Sequence, residues 1–463
     1  MRGLFNYKCE KSGLRVQRNG LSWLVSAGVL VYYPVMLDLK FIRDNIDAVK
    51  ANTVNRHVSA NPDLVVELYD KRNALLKELE NQRALRNANA DKMKAKLPPE
   101  DRARLIEEGK RLKESIAELE KQHEETEKRL MEEARRLPNM SHPDAPVAEG
   151  EGGNRQLRTW GEPPSFSFPH RDHVEIGQAL DLVDFESGAR VAGQKFYYLK
   201  NEAVILELAL LRYALDILRK EGFTIFMTPD VAREDIVAGH GFNPRGPESN
   251  IYTLEGTDLC LVATAEFTLG GYNSGKILQA EALPIMFAGV SHCFRREAGA
   301  AGQFSKGLYR VHQFTKVEMF VYCHPSGSDA MLERLIGIEE KIFQGLEIPY
   351  RIVDTCTGDL GGPAYRKFDI EAWMPGRGEN GEWGEITSAS NCTDYQARRL
   401  GIRFKEGGKN AFVHTLNGTA IAVSRTLIAL LENFQKEDGG IQLPEKLSAY
   451  TGFSRIAPRD AAK

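Results

Sequence analysis

The stretch from Cys293 to Phe320 holds the densest set of side chains in this chain that could do chemistry. Arginines, a carboxylate, a glycine-bearing loop and an aromatic ring follow one another there. A planar guanidinium binds a phosphate, a ring stacks on a base, and a carboxylate accepts a hydrogen bond from an amine. The stretch therefore predicts a nucleotide-binding cleft. The alternative is a charged sheet face that is open to solvent.

Alternation of side chains predicts how this stretch presents its groups. A long strand from Tyr309 to Phe320 would have one polar and one apolar face. Arg295 and Glu297 would share a face of the neighbouring strand. The polar face of the long strand carries Arg310, His312, Phe314, Lys316 and Glu318, and the apolar face carries Val311, Val317 and Met319.

Two later segments add oxygen donors and a further cation. Glu385 and Ser388 place a carboxylate and a hydroxyl close together, which suits Mg²⁺ beside phosphates. Arg425 follows a polar Thr-Leu-Asn-Gly-Thr segment and lies on a mostly apolar predicted helix. An arginine in such a place is most often paired or snorkelling, and a phosphate partner is the sharper hypothesis.

These groups need a body that positions them, and helix and strand patterns interleave from about His170 onward. The patterns predict a helix from Ala203 to Lys220, a strand from Phe223 to Pro229 and a helix from Gly418 to Phe434. Strands reached through loops, with helices between them, indicate an α+β body around an antiparallel sheet. The sequence contains no Gly-x-x-x-x-Gly-Lys-Ser/Thr loop, and its single Gly-x-Gly-x-x-Gly run, at residues 376–381, does not open a helix-like pattern, so neither a P-loop nor a Rossmann site has support.

Residues 64–137 predict a helical arm. They are rich in Leu, Glu, Lys, Arg and Ala, and their only prolines before the end of the stretch are Pro98 and Pro99. Two helices joined by a short turn at these prolines would form an antiparallel coiled-coil hairpin on the order of 50 Å long. Apolar residues at heptad-like spacing support this: Val65, Leu68, Leu75 and Leu79 before the turn, and Leu112, Ile116, Leu119 and Leu130 after it.

The tip of the predicted arm differs from its base. Gln82, Arg86 and Asn89 occupy positions in register with the apolar seam, and residues 81–113 carry ten basic and five acidic side chains, a net charge of +5. A solvated coiled-coil surface explains such a charge run. A grip on a phosphate backbone explains it equally, and the arm alone does not decide between them.

The composition is that of a globular chain of two or three domains, with 463 residues, 42% of them hydrophobic and 27% charged. The net charge of −3 argues against coating nucleic acid through bulk charge, so an RNA partner must meet a local patch. The six cysteines lie far apart with no Cys-x-x-Cys pair, which indicates neither a zinc knuckle nor a disulfide scaffold. A reducing compartment is therefore expected.

The first 35 residues are set apart from the rest. Basic side chains precede an apolar run from Leu21 to Val35, which is shorter than the roughly 20 residues that span a bilayer. Two explanations of this segment stay open, a cleaved leader and a misassigned start, and Met36 is a natural beginning.

A linker is predicted further along the chain, because Pro, Gly and Asn occur without periodicity between Pro143 and Gly161.

Taken together, the motifs resemble the class II aminoacyl-tRNA synthetases, and specifically the bacterial-type seryl-tRNA synthetase family, from Met36 to about Tyr450. The segment ending in Pro229 resembles motif 1 of that class, Phe294 to Glu318 resembles motif 2, and Leu416 to Arg425 resembles motif 3. The signals specific to the seryl family are Thr264-Ala265-Glu266, the run from Gly307 to Glu318, the run from Ser388 to Arg398, and the helical arm.

The resemblance implies a two-step reaction in which ATP activates L-serine to seryl-adenylate and the acyl group then passes to serine tRNA, and also to tRNA(Sec). It implies ATP as a substrate, Mg²⁺, a homodimer, and an arm that holds serine tRNA, with no membrane partner. The expected location is cytoplasmic, or organellar if residues 1–35 are a transit peptide. The implied domains are 1–35 as an N-terminal extension, 36–140 as a tRNA-binding domain with its coiled-coil arm, 141–169 as a linker, and 170–463 as the class II catalytic domain.

The resemblance also assigns roles to residues. Arg295 and Arg425 are the implied catalytic residues, holding the α- and γ-phosphates, and Glu297 meets the adenine amino group. Glu385 and Ser388 are the implied Mg²⁺ ligands. The serine-binding set is Thr264, Ala265, Glu266, Glu318 and Thr419, and the ATP-binding set is Arg295, Arg296, Glu297, Val311, Phe314, Glu385, Ile386, Thr387, Ser388 and Arg425. No covalent nucleophile is implied, so Cys293 and His312 are expected to be structural.

Some features depart from the family pattern. Val262-Ala263 stands where the family usually has Ile-Pro, Arg296 replaces a commonly small residue, and the loop from Ala300 to Lys306 lacks the usual Arg-Asp pair.

Two other functions are alternatives to the ligase activity that the resemblance implies. A catalytically silent, synthetase-like RNA-binding protein would lose the phosphate arginines or the magnesium carboxylate, and a relative that charges a carrier protein would not need the arm.

Overall fold

The computed structural model describes residues 25–26, 29–30, 37–244, 249–298 and 304–459. The predictions of a leader and of a start at Met36 fall outside these ranges, apart from two short strands that pair with each other. The helices are α1 (Leu39–Asp44), α2 (Ile46–Asn55), α3 (Pro62–Lys92), α4 (Pro99–Ala134), α5 (His173–Ala179), α6 (Phe185–Ala192), α7 (Glu202–Lys220), α8 (Glu234–Gly239), α9 (Glu266–Gly271), α10 (Ser328–Gly345), α11 (Tyr395–Leu400), α12 (Val423–Asn433) and α13 (Glu445–Thr451).

The strands are shorter and more numerous than the helices. They are β1 (Val25–Ser26), β2 (Val29–Leu30), β3 (Arg155–Trp160), β4 (Val183–Asp184), β5 (Tyr198–Leu199), β6 (Thr224–Met227), β7 (Val231–Arg233), β8 (Leu259–Leu261), β9 (Ile277–Gln279), β10 (Ile285–Phe294), β11 (Gln313–Cys323), β12 (Tyr350–Asp354), β13 (Arg366–Met374), β14 (Glu382–Asn391), β15 (Arg403–Glu406), β16 (Lys409–Phe412), β17 (His414–Ala422), β18 (Ile441–Gln442) and β19 (Arg455–Ile456).

Helices α3 and α4 form the predicted hairpin. They contain 31 and 36 residues, which at 1.5 Å per residue gives lengths of about 46 and 54 Å. Asn61 caps α3 by accepting from the Leu64 N–H at 3.1 Å, and Pro99 begins α4. Apolar seam residues such as Val65 and Leu112 are buried between the helices, so the sequence prediction of the arm is confirmed.

The base of the arm is a small apolar core, and the seam near its tip is mixed, with Asn89 and Leu105 both buried. Helices α1 and α2 pack against the base through a cluster that includes Ile42, Val49, Leu68 and Leu130. Toward the tip the only predicted seam position that is buried is Asn89. Apolar packing therefore fixes the arm at its base and thins out along its length.

The body is built on an eight-stranded sheet with the order β3-β12-β13-β14-β17-β11-β10-β6. All neighbouring strands are antiparallel except β6 and β10, which are parallel. Helices α7, α10 and α12 pack on the sheet. The α+β class and the antiparallel sheet are thus confirmed, as are helix α7 and strand β6, which match two predicted elements.

Four details of the sequence prediction are wrong. The long strand begins at Gln313 instead of Tyr309, and β10 ends at Phe294, so Arg295 lies in a loop. Residues 418–422 belong to β17, because they pair with β11, and the helix begins at Val423. Residues Arg155–Trp160 of the predicted linker form an edge strand beside β12. In each case pairing with a distant strand, which local pattern does not reveal, sets the outcome.

Within the described ranges, no helix is both long and apolar enough to cross a bilayer.

Candidate active site

A cavity of about 450 Å³ lies against the central strands of the sheet. Its lining includes most residues that the sequence analysis selected: Thr264, Glu266, Arg295, Glu297, Val311, Phe314, Glu318, Glu385, Ile386, Thr387, Ser388, Thr419 and Arg425. Two selected residues do not line it. Ala265 is fully buried in an apolar cluster, and the side chain of Arg296 is exposed. Those two assignments receive no support from the geometry.

Strand β11 positions one wall of the cavity. Its side chains alternate, so that Phe314, Lys316 and Glu318 line the cavity while Val317 and Met319 are buried in the main apolar core. The predicted two-faced strand is therefore confirmed from Gln313 onward.

The residues just before this strand do not follow its alternation. Arg310 and Val311 both line the cavity, because the chain turns there. His312 does not line it, and its Nδ1 lies 2.7 Å from the carbonyl oxygen of Arg295. Cys293 is also outside the lining, and burial raises the pKa of its thiol. The site thus presents neither group to a substrate in the described structure.

Arginine and aromatic side chains meet at one end of the cavity. The Arg295 guanidinium lies 5.3 Å from the centre of the Phe314 ring, and its Nε donates to the carbonyl oxygen of Ala263 at 3.4 Å. Glu297 accepts from Arg310 at 2.8 Å and has a backbone φ of 51°. Left-handed backbone at a non-glycine residue is uncommon and tends to mark functional sites.

A second arginine pairs with a carboxylate beside this end. Arg425 Nη1 lies 3.1 Å from a carboxylate oxygen of Glu385 and donates to the Glu385 carbonyl oxygen at 2.9 Å. The guanidinium also covers the Tyr309 ring, 4.7 Å from its centre. Burial alone would raise the pKa of Glu385, but Arg425 and Lys367 together outweigh it and lower that pKa to about 2. Glu385 is therefore a carboxylate at any physiological pH.

A β-bulge decides which side chains of β14 reach the cavity. Ile370 pairs with Thr387 and Glu371 pairs with Glu385, so Ile386 is an extra residue in the ladder. The extra residue shifts the alternation, which allows Glu385 and Ser388 to share the cavity face. Thr387 donates in the other direction, to the buried carboxyl of Glu339 at 2.8 Å.

The donors at this edge suit a hard cation that also binds a phosphate. Mg²⁺ prefers oxygen ligands and is commonly held by one or two carboxylates together with substrate phosphates. Glu385 and Ser388 supply one carboxylate and one hydroxyl, and among the described residues no cluster of three or more His, Cys, Asp or Glu side chains could hold a metal without a substrate. The residues therefore fit Mg²⁺ as a partner of a bound phosphate.

The other end of the cavity is a buried polar pocket. Lys316 forms an ion pair with Glu318, and the Thr419 hydroxyl donates to Glu318 at 3.3 Å. Glu318 faces Thr419 because the two residues are directly paired across β11 and β17, next to a register shift. Nearby, Glu266 accepts from Gln396 at 2.6 Å.

The pocket brings together two buried carboxyls and one ammonium group. Glu266 and Glu318 are both buried and face a single ammonium group, that of Lys316. Burial raises the pKa of both carboxyls, while Lys316 and Arg295 oppose the rise. When Arg295 pairs with a phosphate, a ligand that brings its own ammonium group would balance the second carboxylate, so the pocket suits a small amine with a polar side chain.

Several residues that complete the site were not predicted from the sequence. Lys316 lies on the predicted strand face but had no predicted partner, and Asn417, which lines the cavity, had no predicted role. Gln396 does not line the cavity but supports it by donating to Glu266. Tyr309 and Lys367 were not singled out, although both line the cavity. Strand alternation could have suggested Lys316, whereas nothing local signals Lys367, since it reaches the cavity from β13.

Comparison with known proteins matches two family descriptions to this chain. "Seryl-tRNA synthetase N-terminal domain" matches residues 36–141, and "tRNA synthetase class II core domain (G, H, P, S and T)" matches residues 252–434. The chain is 61% identical to a serine–tRNA ligase of Treponema denticola over 91% of this chain and 100% of the relative. It is 56% identical to that of Rubrobacter xylanophilus over 91% and 99%.

Solved structures agree with these sequence matches. The seryl-tRNA synthetase of Pyrococcus horikoshii, complexed with ATP, superposes with a TM-score of 0.85 at 42% identity, covering 92% of this chain and 100% of that one. The cytoplasmic serine–tRNA ligase of Naegleria fowleri, in complex with AMP, gives a TM-score of 0.81 at 32% identity with the same coverage.

Proposed function

This chain belongs to the seryl-tRNA synthetase family and is a serine–tRNA ligase, and we propose that its large cavity forms seryl-adenylate from ATP and L-serine. One observation carries the proposal. A single cavity is lined by two arginines whose guanidinium groups suit phosphates, Arg295 and Arg425, and by two buried carboxyls beside one ammonium group. These two sets of groups suit the two substrates of one reaction.

In the proposed reaction, a carboxylate oxygen of serine attacks the α-phosphorus of ATP and pyrophosphate leaves. Arg295 stabilises the charge that develops on the α-phosphate, and Phe314 stacks on the adenine. Glu297, held by Arg310, accepts from the adenine amino group. Arg425 binds the γ-phosphate.

The buried end selects and orients serine. Glu266 and Glu318 bind the α-ammonium group, and Thr419 lies beside the hydroxymethyl group together with Glu318. Thr264 completes this pocket. A pocket that hydrogen-bonds a substrate hydroxyl rejects analogues without it, because its own buried polar groups would be left unpaired.

Mg²⁺ is proposed at Glu385 and Ser388, where it would neutralise charge on the ATP phosphates. Arg425 lies 3.1 Å from the same carboxylate, so Glu385 would orient both the cation and the guanidinium. The low pKa of Glu385, about 2, keeps the oxygen donors available.

The arm formed by α3 and α4 is proposed to hold serine tRNA. The support is the net charge of +5 over residues 81–113 and the polar residue Asn89 in the seam. Contacts with tRNA phosphates explain these features better than apolar packing between the helices does. Charging of tRNA(Sec) and a cytoplasmic location stay predictions from the sequence.

A homodimer is proposed from the exposed apolar surface at the edge of the sheet. Strand β6 ends the sheet and exposes Met227, and α7, which packs against β6, exposes Val204, Ile205 and Leu208. An edge strand beside exposed apolar side chains is suited to pairing with a second copy. Sedimentation of wild-type protein and of a Leu208→Glu variant tests this, and a wild-type monomer at micromolar concentration would contradict it.

Serine-dependent exchange between ATP and labelled pyrophosphate tests the adenylation proposal. We expect exchange with L-serine and its collapse in Arg295→Ala, because this change removes a guanidinium from the phosphate that reacts. Arg296→Ala is the matched control, since its side chain is exposed and does not line the cavity. A folded Arg295→Ala protein that exchanges at the wild-type rate would overturn the assignment, and a wild type without exchange would favour the silent RNA-binding alternative.

A further inference from the structure

A buried arginine of the arm-bearing domain reaches the wall of the cavity. Arg56 caps the C-terminus of α2, and only 4% of its surface is exposed. Its guanidinium donates to the carbonyl oxygens of Gly361 at 2.7 Å, Ala364 at 2.9 Å and Leu360 at 3.3 Å. These acceptors belong to residues 359–364, here called the wall loop, four of which line the cavity.

The wall loop depends on these donors. It lies between β12 and β13 and has no regular secondary structure, so most of its carbonyl oxygens have no ladder partner. Within the described residues no carboxylate pairs with Arg56, and its partners are four backbone oxygens and, at 3.5 Å, the Ser141 hydroxyl. Only a planar guanidinium fork can donate to several carbonyls in fixed directions at once.

Asn139 makes a second connection to the same loop. Its side-chain amide donates to the carbonyl oxygens of Pro363 and Cys392, both at 2.9 Å, and its backbone N–H donates to that of Gly362 at 2.9 Å. Pro363 and Cys392 line the cavity. The carbonyl oxygen of Asn139 in turn accepts from Arg56 at 3.2 Å, so the two connections form one network.

The two residues flank the arm in the sequence. Arg56 lies six residues before α3 begins, and Asn139 lies five residues after α4 ends. The base of the arm between them is packed by a common apolar cluster. A tilt of the arm would therefore move Arg56 and Asn139 together, and with them the wall loop.

We propose that Arg56 and Asn139 are positioning residues that hold the wall loop in place for the small substrates and couple it to the placement of the arm. The proposal rests on the function proposed above, because it assigns the arm to tRNA and the cavity to adenylation. Coupling of this kind is reciprocal, so tRNA on the arm must change the affinity of the cavity for the adenylate, and the adenylate must change the affinity for tRNA by the same factor.

Pyrophosphate exchange with Arg56→Lys is the first test. Lysine keeps the charge and loses the fork, so we expect the KM for serine or ATP to rise roughly 10- to 100-fold through misplacement of the wall loop. Arg399→Lys is the matched control: Arg399 is also buried and donates to a backbone oxygen, that of Ala238 at 3.0 Å, but this acceptor does not line the cavity, whereas Gly361 and Ala364 do. The two variants are compared at equal loss of melting temperature. If the KM then changes no more in Arg56→Lys than in Arg399→Lys, the positioning role is overturned.

The second test measures whether tRNA changes the affinity of the cavity for the adenylate. It uses both Arg56→Lys and Asn139→Ala, so that one variant remains if the other folds poorly. Binding of seryl-sulfamoyl-adenosine, a stable adenylate analogue, is measured by calorimetry with and without serine tRNA. We expect tRNA to change the affinity of the wild type and to leave that of the variants unchanged. If tRNA has no effect on the wild type, or the same effect on all proteins, the coupling is refuted. A wild type without serine-dependent exchange would instead refute the proposed function itself.

Discussion

Replacement of Glu318 by glutamine is the sharpest test of the serine pocket. Glu318 is 2% exposed and is held by an ion pair with Lys316 and a hydrogen bond from Thr419 at 3.3 Å. In the wild type, two carboxylates face one ammonium group, and the serine ammonium balances the second. Glutamine keeps the shape of the side chain and removes one negative charge, so the substrate cation is no longer balanced.

The expected loss follows from the burial of these groups. A charged hydrogen bond in a desolvated pocket contributes about 3 kcal/mol, which corresponds to a roughly 100-fold rise in the KM for serine. The substitution should also lower the stability of the folded protein, because Lys316 loses its charged partner in a buried site. The KM for ATP should change little, since the phosphate-binding arginines are untouched.

Pyrophosphate exchange over a range of pH is the assay. Burial raises the pKa of Glu318, so the wild-type KM for serine should rise as the pH is lowered through that pKa, and the variant should lack this dependence. Glu371→Gln is the matched control, because Glu371 pairs with Arg351 at 2.5 Å and does not line the cavity. A folded Glu318→Gln protein with the wild-type KM for serine would refute the reasoning.

Three further predictions follow from the same structure. Thr419→Ala should reduce discrimination between serine and alanine by about tenfold in pyrophosphate exchange, because one buried hydroxyl contact is lost; an unchanged ratio would mean that Thr419 only supports the strand. Replacing residues 82–113 with a short turn should leave exchange intact and abolish tRNA charging, and a variant that still charges tRNA at the wild-type rate would show that the tip does not bind it. Glu339→Gln concerns stability: burial raises the pKa of Glu339 well above its usual range, so the stability that its protonated form contributes is present at low pH and is lost as the pH rises through that pKa. The difference in melting temperature between Glu339→Gln and the wild type should therefore shift in favour of the variant as the pH rises. A difference that stays constant across the pH range would contradict this.

The sequence by itself determined the elements whose information is local. The arm could be predicted because helix-forming composition, heptad spacing and the Pro98-Pro99 break all lie within one stretch of chain. The strand that carries Phe314, Lys316 and Glu318 could be predicted for the same reason, since alternation is a property of neighbouring residues. Resemblance to a family then supplied roles that local physics does not give.

Only the tertiary structure decided how distant strands meet. Residues 418–422 have a helix-like pattern next to a true helix, and they are a strand because β11 pairs with them, while β14 pairs with Gly418 on the other side. The bulge at Ile386 places Glu385 and Ser388 on one face, although strict alternation would separate them.

The sequence also could not predict the charge balance of the pocket or the hydrogen bonds from Arg56 to the wall loop. Glu266, Glu318 and Gln396 lie on three different elements, and Arg56 is about 300 residues from the carbonyls that it binds. Spacing and propensity act over a few residues, whereas burial, ion pairing and the pKa of a carboxyl depend on which groups the fold brings within a few ångströms.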